Sequence, residues 1–332
     1  MKIKTIFKLG VLTLIVFVLV RTNAINSLNS AVNPDDSTRI IFTIEEGERA
    51  DGIGYKLKEA GLIKSTYGFS VYLKENNLDS LLQAGEFILM PSMTGIEIIN
   101  ALTSQATGEI VFTIPEGWTI TDIDNALTDE GLITTGSFES CAKTCDFSAY
   151  TFLPESGSLE GYLFPDTFFL NQTTFDTYSF IKQLLDNFDT KITDEMLTDI
   201  ESQGRTLEEA IIVASIIEKE VRTDEDRGLV SGIVWKRLDN GWQLGMCSTI
   251  NYLTGQAEIT AEDLEIDSPY NTRMYTGLPP TAISNPGLKS IEAAIYPEDS
   301  EYWYFLNATE TGETIYATTN EEQEANKAKY LE

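Results

Sequence analysis

Histidine is missing from all 332 residues of the chain, and its absence removes whole classes of chemistry. No Ser-His-Asp triad, Cys-His nucleophile or imidazole metal site can be built, so proton transfer falls to carboxylates, Tyr, Lys or Cys. Cysteine is nearly as scarce, at three. Three thiols without an imidazole disfavour a zinc site, and no metal or cofactor is implied. Cys141 and Cys145 are spaced to meet on one helical turn or across a tight loop, which leaves a disulfide between them open; Cys247 then has no partner. Basic side chains are few, 23 against 52 acidic ones, for a formal charge of -29. Such a surface repels nucleic acid and anionic lipid, so nucleic-acid binding is excluded, and the plain meaning of the acidity is solubility.

What is present suffices for a real core: 42% of residues are hydrophobic, and at roughly 100 to 200 residues per domain the length suggests two domains. The amino terminus opens with Lys2, Lys4 and Lys8 and continues into LGVLTLIVFVLV, closed by Arg21. As a helix, Leu9 to Val20 spans only about 18 Å, short of a hydrocarbon core near 30 Å, which is the length of a signal peptide. Against cleavage, no convincing small-x-small site follows, since Arg21 interrupts the exit, and Thr5, Ile6 and Phe7 with a snorkelling Lys8 extend the span. The expectation is an anchor over residues 1–24 with its start inside and the body outside, then a polar linker over 25–38.

An internal repeat follows. FTIEEG at Phe42 to Gly47 returns as FTIPEG at Phe112 to Gly117, and Gly61, Leu62 and Ile63 recur as Gly131, Leu132 and Ile133. Each copy reads as a strand, a turn, an amphipathic helix and a glycine stop, with helices predicted near Ala50–Glu59 and Thr121–Glu130. Between the copies, YGFSVYLKENNL reads as helix, LLQAGEFILMP as strand, and Thr94 to Thr103 as a further helix.

Thr206 and Glu209 stand at capping-box spacing, ahead of an apolar run from Ala210 to Ile217 that predicts a buried helix. Glu218 follows directly, on the face of Ile211 and Ala214, at the margin of an apolar core where desolvation favours a neutral acid. On this helix alone a solvated terminus is the plainer reading, and context must decide. The loop SPYNTRMYTGLPPTAISNPG supplies some: Tyr270, Asn271 and Thr272 offer a ring face and hydrogen-bond groups of the kind that hold sugars.

The blocks IPEG, LEGYLFPDTF, ASIIEKE, YNT with GLPPTAISNPG, and YWYFLNA, in that order, resemble the MltG (YceG-like) family of endolytic murein transglycosylases over nearly the full length. The resemblance implies an α+β, membrane-anchored protein with a LysM-like module over 39–107 and a larger catalytic domain over 108–332. It implies Glu218 as the essential acid, with Tyr270, Asn271 and Thr272 as candidate substrate-binding residues. It also implies cleavage of nascent peptidoglycan strands between N-acetylmuramic acid and N-acetylglucosamine without water. The partners implied are glycan strands, the inner membrane and the synthases. One carboxyl serves such a reaction twice, whereas a hydrolase needs a second carboxylate, for which Asp166 is the sequence's candidate. Glu220, two residues on, faces elsewhere and is given no chemical role. The chain departs from the family where LGMCSTINY carries Cys247 and Ser248 in place of Asp and Pro. It departs again where Thr314, Ile315 and Tyr316, and Glu322 and Gln323, replace H-x-F and E-H. These losses keep a rival open, a catalytically silent peptidoglycan-binding scaffold.

Overall fold

The computed structural model describes residues 18, 20–103, 109–172, 174–256 and 258–331. The anchor expected over residues 1–24 lies mainly outside them; among the described residues no helix is long and apolar enough to cross a membrane. The chain divides into two compact units, Met1–Phe112 with Thr167–Thr174, and Thr113–Asp166 with Phe175–Glu332.

In the first unit, β1 (Ile40–Ile44) pairs antiparallel with β2 (Gly85–Leu89), Phe42 opposite Phe87, and the helices α1 (Ala50–Glu59) and α2 (Thr66–Glu75) lie between them in sequence. Alternation along β1 turns Phe42 and Ile44 inward, onto Ile53 and Leu57 of α1 and Phe69 and Leu73 of α2. Helix α1 ends as predicted, with Gly61 at φ +71. Helix α3 (Gly95–Thr103) closes the core with Ile98, Ile99 and Leu102. The polar stretch expected as a linker contributes to this core: Leu28, in a short 3-10 turn, is fully buried, and Gly95 leaves the room it occupies. One buried leucine is worth about 2 kcal/mol, enough to hold a short polar segment down. The second copy of the repeat opens with β3 (Glu109–Thr113), which pairs not with a copy of β2 but with β4 (Thr167–Asn171).

The second unit continues with α4 (Ile120–Asp129), opened by a complete Thr119–Asp122 capping box, and α5 (Ser137–Thr144). A Cys141–Cys145 disulfide closes the end of α5, resolving what the spacing left open, while Cys247 is free and exposed. After α6 (Thr177–Lys191) and α7 (Asp194–Ser202) comes the central helix α8 (Leu207–Glu220), begun by the Thr206–Glu209 capping box. Every residue of α8 from Ala210 to Ile217 is buried. Its neighbours are α7, α9 (Asp224–Asp239), α10 (Cys247–Thr254) and α11 (Leu288–Ile295). A hairpin of β5 (Tyr304–Asn307) and β6 (Thr314–Ala317) packs on α12 (Asn320–Tyr330). Mixed helix and small sheets make this an α+β protein.

Candidate active site

Helix α8 surfaces in its last turn, and there Glu218 meets a cleft of about 510 Å³ lined also by Glu116, Gly117, Lys219, Glu220 and Arg222. The Glu218 side chain is 8% exposed, so most of it is enclosed by protein. The apolar setting expected for this carboxyl is corrected by its neighbours. The backbone N–H of Gly287 and the hydroxyl of Ser290 both donate to Oε2, at 3.1 and 2.8 Å, and the Arg227 guanidinium lies 3.7 Å from Oε1. Arg227 Nε donates in turn to Ser290 Oγ at 3.0 Å, and its Nη1 to Asp224. Ile211 and Ala214 do underlie the residue on α8, but loops distant in sequence supply the polar cradle. A carboxyl held by two donors and a guanidinium has one orientation, which a proton-transfer group requires.

Sequence reasoning does not single out Glu116, although its IPEG block is evident. Its carboxyl lies against the Cα of Gly287, where an added Cβ would meet Oε1 at 2.0 Å, so a side chain at 287 would push the Glu116 carboxyl out of this position. Burial, and then the neighbouring Glu218 carboxyl, hold Glu116 above the usual carboxylate range against the pull of Arg227. The second carboxylate beside Glu218 is therefore Glu116. Asp166, the sequence's candidate, accepts from Asn187 Nδ2 at 3.2 Å and does not line this cleft.

The two loops that carry Glu116 and Gly287 are laced together. Gly117 N–H donates to Asn285 O, and Asn285 N–H to Trp118 O, each at 2.8 Å. The fully buried Asn285 side chain accepts from the N–H groups of Gly161 and Leu163 and donates to Trp118 O and Glu160 Oε1. Glu160, 5% exposed, also receives the Ile120 N–H and the Tyr252 hydroxyl. Burial pushes its carboxyl up to about 8, against the hydrogen bonds from Ile120 and Tyr252. Because that value lies above the ordinary 4.5, the group's contribution to stability is whole below about 4.5 and is lost as pH rises through about 8. Glu160→Gln keeps the shape of the neutral acid. In thermal unfolding it should gain on the wild type from about pH 5 to pH 8, by about 1.4 kcal/mol for each step of one in pH. A difference between the two that stays level with pH would refute the buried neutral acid.

The residues predicted to bind substrate are placed elsewhere. Asn271 is fully buried, its amide donating to Leu264 O and Ile266 O, and Thr272, 1% exposed, bonds Met246 N–H and Thr249. Both are consumed in folding their own loop and do not line the cleft at Glu218, because a turn this tight must satisfy its backbone from within. Tyr270 bonds Thr281 at 2.7 Å and lines a separate pocket of about 300 Å³ with Glu160 and Tyr252. Glu220, given no role, lines the cleft and accepts the Ser248 N–H at 3.0 Å at the start of α10. Where the family's histidines are replaced, Thr314 and Tyr316 bond Asp226 at 2.9 and 2.6 Å, and Glu322 caps its own helix.

A YceG-like family model matches residues 42–329. The endolytic murein transglycosylase of Bacillus subtilis is 31% identical over 323 residues, 92% of this chain and 88% of that protein. The endolytic murein transglycosylase of Streptococcus pneumoniae D39 is also 31% identical, over 90% of this chain, which spans only 60% of that longer relative. In structure, a crystallised yceG-like protein from Listeria monocytogenes aligns with a TM-score of 0.60 at 29% identity, covering 87% of this chain and 99% of that one. With the matched region taking in the cleft, Glu218 and Glu116 in its wall and the loops that brace them, the chain belongs to the YceG-like family.

Proposed function

We propose that the protein is an endolytic lytic transglycosylase that cuts peptidoglycan glycan strands between N-acetylmuramic acid and N-acetylglucosamine. The observation that carries this reading is Glu218: a nearly buried carboxyl, held by Gly287, Ser290 and Arg227, in the wall of an open cleft. Glu218 delivers a proton to the leaving glycosidic oxygen as the muramoyl ring gains oxocarbenium character. The resulting carboxylate then takes the proton of the muramoyl 6-hydroxyl, which attacks the anomeric carbon from within the same sugar and leaves a 1,6-anhydro end. The attacking oxygen needs no second residue to position a water. Glu116, with its raised pKa, keeps negative charge low beside the donor, and Arg227 offsets the charge left after transfer.

The basic start and apolar run of the sequence support tethering to the membrane with the enzyme outside it, close to where synthases extrude new strands. A strand, two helices and a returning strand, β1 to β2, support a LysM-like glycan-holding module. Cutting there would terminate strand elongation.

The products decide among the readings. Purified protein on uncrosslinked strands should release fragments with 1,6-anhydromuramic ends, lighter than hydrolytic ones by one water because none is added. Reducing ends would make it a hydrolase, and uncut strands that still bind would make it a scaffold.

A further inference from the structure

A second cleft, also of about 510 Å³, adjoins the first, sharing Glu220 and Asn307 with it. Its wall holds three cations, Arg237, Arg273 and Lys327, against one carboxylate, Glu220, although the chain as a whole has 23 basic residues to 52 acidic. The two guanidiniums have no carboxylate within ion-pair distance among the described residues. Arg237 spends its donors on the carbonyls of Trp303 and Leu244, and Arg273 donates to the Cys247 sulfur at 3.0 Å. In so acidic a chain, guanidiniums without a carboxylate partner gathered in one cleft form a place for an external anion.

Two further features narrow the anion's chemistry. Trp242, 41% exposed and backed by Trp303 at 4.5 Å between ring centres, gives an apolar platform. Gln323, 7% exposed in the wall, donates Nε2 to Phe305 O and adds a polar amide to the lining. Sugar hydroxyls and acetamido groups carry no charge. A peptide carries amide N–H groups, small apolar side chains and carboxylates together.

We propose that this second cleft receives the stem peptide borne by the strand, with Arg273 meeting a carboxylate and the buried Arg237, its donors held by carbonyls, adding positive charge to the wall. The proposal rests on the reading of the protein as a glycan-strand enzyme, but it can be tested apart from catalysis. Trp242 and Trp303 report on the cleft by fluorescence. Titration of the full-length protein with a synthetic stem tetrapeptide should give a saturable change. Amidating the peptide's terminal carboxylate, or making the Arg273→Gln variant, should weaken binding about tenfold, the worth of one charge-assisted contact. Lys182→Gln, on a helix that does not line the cleft, serves as the control. No saturable change, or equal affinity for the free and amidated peptides, overturns the proposal.

The catalytic counterpart compares strands bearing their peptides with strands stripped by an amidase. The wild type should favour the former in kcat/KM by about tenfold, and Arg273→Gln should bring the ratio toward one. Equal rates on the two strands in the wild type would also overturn it. If neither strand is cut, the enzyme assignment fails, and the fluorescence titration still decides the peptide site.

Discussion

Replacing Glu218 by glutamine should lower kcat on uncrosslinked glycan by on the order of 10⁴-fold, since one carboxyl performs both proton transfers and each is worth roughly 10² to 10⁴. The fold should survive. Glutamine has the same shape, and its Oε1 can accept from Gly287 N–H and Ser290 Oγ as the carboxylate does. Arg227 is not stranded, because it keeps Asp224 and Ser290 as partners. KM should therefore move little while kcat collapses, the pattern of an interaction made in the transition state. Steady-state rates with a thermal melt of the same sample check both halves. Activity within about tenfold of wild type, in a variant that melts normally, would remove Glu218 from the mechanism.

Asn285→Ala should be the most damaging single change outside that carboxyl, and its damage should be structural first. All four hydrogen-bonding positions of the amide are filled, by Gly161, Leu163, Trp118 and Glu160. Alanine orphans the N–H groups of Gly161 and Leu163 in a fully buried site, while Trp118 O keeps the backbone N–H of residue 285 and Glu160 keeps Ile120 and Tyr252. A buried group left unpaired costs about 1 to 3 kcal/mol, so even with relaxation and entering water the loss should be about 4 kcal/mol, and Tm should fall on the order of 10 °C. Asn285→Asp separates the causes, because it keeps the acceptor for Gly161 and Leu163, loses the donors, and sets a second carboxyl beside Glu160. Its penalty should grow with pH, whereas that of alanine should vary less. A loss below about 1 kcal/mol for Asn285→Ala would mean that the loops carrying Glu116 and Gly287 are braced by something other than this amide.

Several features could be read from local sequence because their causes are local. Capping boxes act over three residues, and Thr206 with Glu209 marked the start of the helix that ends at Glu218. The glycines at 61 and 131 closed the repeated helices because a left-handed residue there needs no distant partner. Cys141 and Cys145 meet because four residues is one helical turn. The histidine count ruled out imidazole chemistry with no structure at all.

What surrounds Glu218 was decided only by tertiary structure. Spacing along the central helix predicted the apolar floor under this residue. The cradle above it comes from Gly287, Ser290 and Arg227, and its companion carboxyl from Glu116, residues that no periodicity connects. Likewise Asn271 and Thr272 had the composition of a sugar site, but their loop turns so tightly that it consumes them internally. A helix or strand is set by neighbours a few residues away. A functional group's surroundings are set by whichever loops the packed core brings against it, and those loops are far off in the chain.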